Sequence, residues 1–245
     1  MLIGIDGAGQ GPWLMSNLDG SVPGNGRSGY ETDYLTSFVH ELIRDYAGPG
    51  GSMYFRGSEV DIGGAECRRT VDMCMIAARV PIQLGSVIHL AGYSRGGAIA
   101  IAVAQHIATE FPNVRIPVMA LFDAVDWELG LGDLKTIPGN VEFAFHALRD
   151  HSVNSRWYFG NCGTKAAAGC KLEVWTFKTT HGGMGGTPLG KNRGSFQKMP
   201  ENFPRLIGGI TPAINVEMEK AQSDFAQEWM WTKLREKGIV RSNHK

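Results

Sequence analysis

The fold of this chain is decided by one stretch of its sequence, VIHLAGYSRGGAIA at residues 87–100. An apolar run ends in Gly92-x-Ser94-x-Gly96, and small residues with a helical pattern follow directly. This order predicts a buried strand, a sharp turn that carries Ser94, and a helix, an arrangement known as a nucleophile elbow. Ser94 would then stand at the amino end of the helix, where unpaired backbone amides favour negative charge.

Two further polar side chains follow predicted strands. Residues 115–122 form an apolar run typical of a buried strand, and Asp123 stands at its carboxyl end. Residues 171–178 alternate polar and apolar, as a half-buried or edge strand does, and the chain then reaches His181. Because functional groups in an open α/β sheet lie beyond the carboxyl ends of the strands, we expect Ser94, Asp123 and His181 on the same rim.

These three residue types suit nucleophilic catalysis. A serine hydroxyl is a poor nucleophile until a base takes its proton, and histidine titrates near neutrality. A carboxylate orients the imidazole and stabilises its charged form. Developing negative charge on a substrate oxygen would be met by the amide of Arg95 and by the loop after the first strand, at Gly7 and Ala8.

Alternatives stay open at several positions. Asp126 could supply the carboxylate instead, although Asp123 lies nearer the strand end, and His181 could merely cap a turn. Asp6 is interpreted as a structural or supporting acceptor, and direct participation in the chemistry is the alternative. The other histidines are interpreted as core or solvent-facing residues: His40, His89, His106, His146, His151 and His244. Two of them, His146 and His151, are placed around a helix predicted at residues 141–149.

The remaining pattern predicts alternating strands and helices. Strands are expected at 2–5 and 53–55, helices at 35–46 and 65–84, and loops beside the presumed site at 16–30 and 182–212. A last helix ends near Gly238. Its apolar face is predicted to contain Met218, Ala221, Phe225, Trp229 and Leu234.

Composition narrows the function classes. The formal net charge is zero, so no long-range field favours nucleic acid or an anionic membrane. No apolar run is long enough to span a membrane, and the amino-terminal strand does not resemble a Sec signal peptide. We therefore expect a cytoplasmic protein, or one exported without a signal peptide. Cys162 and Cys170 could form a disulfide, and neither they nor the pair Cys67 and Cys74 show zinc spacing.

Five segments also resemble a known family. They are Ile5-Asp6-Gly7, Gly92–Gly97, Leu121–Val125, Phe145–Asp150 and Val174–Gly186, in this order. Together they resemble the α/β-hydrolase domain shared with the Tle1-type phospholipase effectors of type VI secretion. The resemblance spans most of residues 1–190 and implies an α/β-hydrolase fold, a mostly parallel sheet flanked by helices, with Ser94, Asp123 and His181 as its triad.

The chain departs from that family at four positions. Tyr93 and Gly97 stand where the family usually has Phe and Ala around the serine, and Gly183-Met184 replaces a usual Asp-Val after the histidine. The large additional domains of the secreted effectors are not expected for these 245 residues, and this expectation weakens the implication of a phospholipid substrate.

The sequence thus predicts a single α/β-hydrolase domain over residues 1–245, acting on carboxylic esters without a metal or cofactor. The partner would be a small-molecule or lipid ester, and short soluble esters are favoured. The alternatives are a phospholipase, an acyltransferase that excludes water, and a catalytically idle binding domain in which the three side chains do not converge.

Overall fold

The computed structural model describes residues 1–7, 36–57, 64–126, 131–155, 160–189 and 214–242. Within these residues a central sheet has six strands: β1 (Leu2–Ile5), β2 (Ser52–Phe55), β3 (His89–Tyr93), β4 (Ile116–Phe122), β6 (Val141–Arg149) and β8 (Lys171–Phe177). Their order across the sheet is β2-β1-β3-β4-β6-β8, and every neighbouring pair is parallel. Two short strands, β5 (Thr136–Ile137) and β7 (Lys165–Ala166), pair separately.

Helices cover both faces of the sheet. They are α1 (Phe38–Asp45), α2 (Ala65–Gln83), α3 (Arg95–Glu110), α4 (His181–Met184) and α5 (Val216–Glu236). The alternation along β4 separates two cores: Met119 and Leu121 pack with α2 and α3, whereas Val118 and Phe122 pack with α1 and α5. The predicted architecture, a mostly parallel sheet flanked by helices, is confirmed.

The prediction of a helix at residues 141–149 is wrong. This segment is β6, which lies between β4 and β8 with Val141, Phe145 and Ala147 buried. A parallel strand covered on both faces has no polar–apolar alternation, so its periodicity resembles that of a buried helix. The error matters because Arg149, at the carboxyl end of β6, contacts Asp123.

The predicted inner face of the last helix is also partly wrong. Met218, Ala221 and Phe225 of α5 are exposed, and Trp229 and Leu234 are buried as expected. The buried positions also include Glu219, Ser223, Ala226, Met230 and Trp231. Two of these side chains, Glu219 and Ser223, are polar. They lie on the inner face because they form hydrogen bonds with the segment that carries His181. Hydrophobic periodicity alone therefore misplaced the face.

Candidate active site

Ser94 occupies a sharp turn between β3 and α3. Its backbone has φ 54° and ψ −126°, a conformation that costs energy for a residue with a side chain. The turn is held by hydrogen bonds from the Ser94 amide to the Phe122 carbonyl (3.0 Å) and from the Val125 amide to the Ser94 carbonyl (3.1 Å). Gly96 fits there because any Cβ would collide with the carbonyl oxygen of Ile5.

His181 is the first residue of α4, and residues 178–180 separate it from the end of β8. Its Nε2 is 2.8 Å from Ser94 Oγ, and its Nδ1 is 2.6 Å from Asp123 Oδ2. With Nδ1 donating to the carboxylate, Nε2 is the acceptor for the serine hydroxyl. The structure thus brings Ser94, His181 and Asp123 into one hydrogen-bonded chain.

Asp123 follows β4 in a left-handed conformation, with φ 42°. Of the two carboxylates that the sequence left open, Asp123 is the one that contacts the imidazole. Asp126 lies further along, where its amide donates to the Gly160 carbonyl at 3.1 Å.

The Asp123 carboxylate has two partners that the sequence analysis did not identify. Arg149 Nη1 donates to Oδ2 at 2.5 Å, and Asn161 Nδ2 donates to Oδ1 at 2.8 Å. Burial raises the pKa of the Asp123 carboxyl, but Arg149 and His181 outweigh burial and hold that pKa well below its usual range. Asp123 is therefore ionised near neutral pH.

The backbone of His181 is fixed from two sides. Its amide donates to Ser155 Oγ at 2.9 Å, and its carbonyl accepts from the Tyr93 hydroxyl at 2.8 Å. The Tyr93 ring also lies against the imidazole, with ring centroids 5.1 Å apart. The Tyr93 hydroxyl, which a phenylalanine would lack, thus has a specific contact here.

Glu219 of α5 holds the segment that carries His181. Its buried carboxylate accepts from the Thr180 amide at 3.1 Å, from the Thr180 hydroxyl, and from the Leu189 amide at 2.5 Å. A Cβ on Gly183 would lie 2.9 Å from Glu219 Oε1 and would collide with Thr179. Glycine at position 183 therefore leaves room for a carboxylate that comes from a distant helix.

The end of β1 lies against the serine turn. A Cβ on Gly7 would be 3.1 Å from Ser94 Cβ, so this loop borders the site as expected. The Gly7 amide donates to Asp6 Oδ1 at 2.8 Å and is thus engaged within its own loop. Arg95 begins α3, and its amide lies in the first turn of that helix. Ala8, the predicted loop 16–30 and residues 190–212 of the predicted loop 182–212 lie outside the described residues. The start of that second loop is predicted wrongly, because residues 182–184 belong to α4.

Asp6 acts as a structural junction. Its Oδ2 accepts from the Tyr54 hydroxyl at 2.6 Å, which links the end of β1 to β2. Burial raises the pKa of the Asp6 carboxyl, against the opposing effect of hydrogen bonds from Ser37 and Tyr54. These contacts match the interpretation of Asp6 as a supporting acceptor.

His146 is held inside the fold rather than beside a helix. Its Nε2 accepts from the Ala124 amide at 3.0 Å, and its Nδ1 lies 3.1 Å from the Gly163 carbonyl. Burial lowers the pKa of His146 to about 4, so the ring is neutral near pH 7. A neutral ring is required for the Ala124 contact, which braces the residue next to Asp123.

The described residues contain free cysteines and no candidate metal site. Cys162 and Cys170 are free thiols, as are Cys67 and Cys74, so the structure contains no bond between the two candidates for a disulfide. In the described ranges, no group of three or more His, Cys, Asp or Glu side chains could hold a metal ion. No helix in the same ranges is both long and apolar enough to cross a membrane.

No family model and no curated protein matches the chain. Solved structures give distant likenesses. A hormone-sensitive lipase from a metagenome library has 12% identity and a TM-score of 0.41, over 96% of this chain and 77% of its own. An α/β serine hydrolase without lid from Xanthomonas campestris has 13% identity and a TM-score of 0.35, over 87% and 84%.

A variant of the esterase E40 is similar at 14% identity with a TM-score of 0.39, over 95% of this chain and 76% of its own. At these TM-scores the likenesses say nothing about chemistry or substrate.

Proposed function

We propose that the protein is a serine hydrolase that cleaves carboxylic esters through an acyl-enzyme on Ser94. One observation carries the proposal: the 2.8 Å contact from Ser94 Oγ to His181 Nε2, continued by the 2.6 Å contact from His181 Nδ1 to Asp123. An idle binding domain would not need a serine in a strained turn aligned with a base and a buried carboxylate.

In the first half of the reaction, His181 Nε2 takes the hydroxyl proton while Ser94 Oγ attacks the acyl carbon. The imidazolium is stabilised by Asp123 and then gives its proton to the leaving alcohol. The acyl group is now bonded to Ser94. In the second half, His181 takes a proton from water, the resulting hydroxide attacks the acyl carbon, and Ser94 regains its proton as the carboxylic acid leaves.

The oxyanion of each tetrahedral intermediate would lie at the amino end of α3. This helix offers the Arg95 amide and the positive end of its dipole. Because the Gly7 amide is engaged by Asp6, the second donor from the first loop would be Ala8. One such donor typically contributes about a hundred- to a thousandfold to turnover.

For the substrate we propose short-chain, soluble esters. The sequence of the two loops expected beside the site, 16–30 and 182–212, is rich in glycine and lacks a run of large apolar residues. Each additional buried methylene needs apolar lining to gain its roughly 0.8 kcal/mol. The resemblance to Tle1-type phospholipase effectors favours the alternative, a phospholipid substrate.

A series of p-nitrophenyl esters from acetate to palmitate tests the proposal. We expect kcat/KM to be highest for short acyl chains, with little fatty acid released from phosphatidylcholine vesicles. Ser94→Ala should abolish turnover, whereas Ser86→Ala, in the segment that precedes β3, should leave it unchanged. A maximum at long chains would favour the phospholipase. Absence of hydrolysis by a folded protein would refute the proposed function.

A further inference from the structure

A buried guanidinium and the imidazole of the candidate base, His181, contact the same oxygen atom of Asp123. Arg149 Nη1 and His181 Nδ1 lie 2.5 Å and 2.6 Å from the same Asp123 Oδ2, and the side chains of all three residues have no exposed surface. Arg149 Nη1 is therefore no more than about 5 Å from His181 Nδ1. At that distance inside a protein, two charges influence each other's protonation strongly.

The fold fixes Arg149 in this position. It is the last residue of β6, and its Nε donates to the Ser155 carbonyl at 3.0 Å. Ser155 in turn accepts from the His181 amide through its hydroxyl. The guanidinium and the imidazole are thus held by the same residue. The guanidinium is also shielded from solvent ions, because salt screens buried charges far less than exposed ones.

Other titratable groups lie around the pair, and none of them is changed in the variants compared below. Tyr93 donates to the His181 carbonyl, Glu219 binds the Thr180 amide, and burial holds the His146 ring neutral near pH 7. Burial raises the pKa of the Cys162 thiol, which stays uncharged, with Asp126 adding to that effect. Arg149 is the cation bonded to Asp123, so its charge offsets the carboxylate.

This offset changes the proton balance of the site. Beside a lone carboxylate, protonating the imidazole forms a neutral ion pair and is favoured. Beside a carboxylate already paired with guanidinium, the same protonation leaves a net buried positive charge. The Asp123–His181 pair consequently binds its additional proton less tightly. This holds whether that proton is assigned to the imidazole or to the carboxylate.

We propose that Arg149 is a positioning residue that orients Asp123 and lowers the proton affinity of the Asp123–His181 pair, so that His181 remains an unprotonated base in mildly acidic solution. The inference rests on the proposed function for its catalytic meaning, but its electrostatic content can be measured without turnover. Two unit charges about 5 Å apart at an effective dielectric constant of about 20 correspond to roughly two pH units.

Nuclear magnetic resonance of protein labelled with ¹⁵N-histidine tests it directly. The His181 signals are assigned by their loss in His181→Gln, and the protonation midpoint is then measured in each variant. Arg149→Met, a neutral side chain of similar length, should raise the midpoint by about one to two pH units. Arg149→Lys, which keeps the charge, should stay close to the wild-type value. Arg79→Met removes an exposed cation that pairs with Glu110 and is the matched control.

An unchanged or lowered midpoint in folded Arg149→Met would overturn the proposal, as would an equal rise in Arg149→Lys. Circular dichroism establishes that each variant is folded, and Arg149→Gln replaces the Met variant if that one does not fold. If neither neutral variant folds, the wild-type midpoint is measured at 0.05 and 0.5 M salt: a midpoint constant with salt supports control by a buried charge, and a clear shift overturns it.

The two proposals fail separately. A raised midpoint in Arg149→Met without ester hydrolysis by the wild type would refute the proposed function and retain the electrostatic role of Arg149. Ester hydrolysis by the wild type, with no change of the His181 midpoint in Arg149→Met, would support the proposed function and refute the electrostatic role of Arg149.

Discussion

Replacing Glu219 should loosen the segment that carries His181. The carboxylate of this residue is buried and accepts from Thr180 through both the amide and the hydroxyl, and from the Leu189 amide. Ser223, one turn further along α5, donates to the Gly183 carbonyl at 2.6 Å. The last helix therefore holds this segment through side chains rather than through apolar packing alone.

The size of the effect follows from these contacts. Glu219→Ala leaves both buried donors of Thr180 without this acceptor, at about 1–3 kcal/mol for each donor, so a total cost of about 3–5 kcal/mol is expected. For a chain of this length each kcal/mol lowers Tm by about 2–4 °C, so a fall of roughly 6–20 °C is expected. Glu219→Gln keeps the volume but turns one acceptor into a donor, and should cost less.

Thermal unfolding followed by circular dichroism measures this difference. Glu217→Gln, on the exposed side of the first turn of α5, is the control and should change Tm by no more than about 1–2 °C. The folded Glu219→Gln variant should also hydrolyse esters about a hundredfold more slowly, because a displacement of about 1 Å can have that cost. A Tm within 2 °C of wild type for Glu219→Ala would refute the reasoning.

Three further substitutions test the site. Asp123→Asn should lower kcat about 10⁴-fold by favouring the wrong imidazole tautomer, and a loss under tenfold would contradict the role of the carboxylate. Gly97→Ala places a methyl group against Ala124 Cβ and should cost about 1–3 kcal/mol in a denaturant titration, whereas Gly160→Ala, with open space around it, should be near neutral. Tyr93→Phe removes the hydrogen bond to the His181 carbonyl and should cost about 0.5–1.5 kcal/mol by the same titration; no loss would mean that the contact is not stabilising.

Local patterns in the sequence predicted the main features of the fold. The strand, serine turn and helix around Ser94 follow from residues adjacent in the chain. Asp123 and His181 could be placed on the same rim because the carboxyl ends of parallel strands meet there. These predictions required only the type of each element and its order.

The features that the sequence did not reveal depend on contacts between distant segments. Arg149 ends an apolar run whose period did not distinguish strand from helix, so its contact with Asp123 could not be foreseen. Glu219 and Asn161 approach the site from other parts of the chain, and no local pattern marks a buried carboxylate or amide. The engaged Gly7 amide likewise depends on the side-chain conformation of Asp6.

The most direct test of the central claim is reaction with a fluorophosphonate, which forms a stable phosphonyl ester with an activated serine. We predict one adduct, mapped to Ser94 by mass spectrometry, with labelling abolished in Ser94→Ala and slowed in His181→Gln. Labelling that persists in Ser94→Ala, or an adduct on a different residue of the folded wild-type protein, would contradict the assignment of Ser94 as the nucleophile.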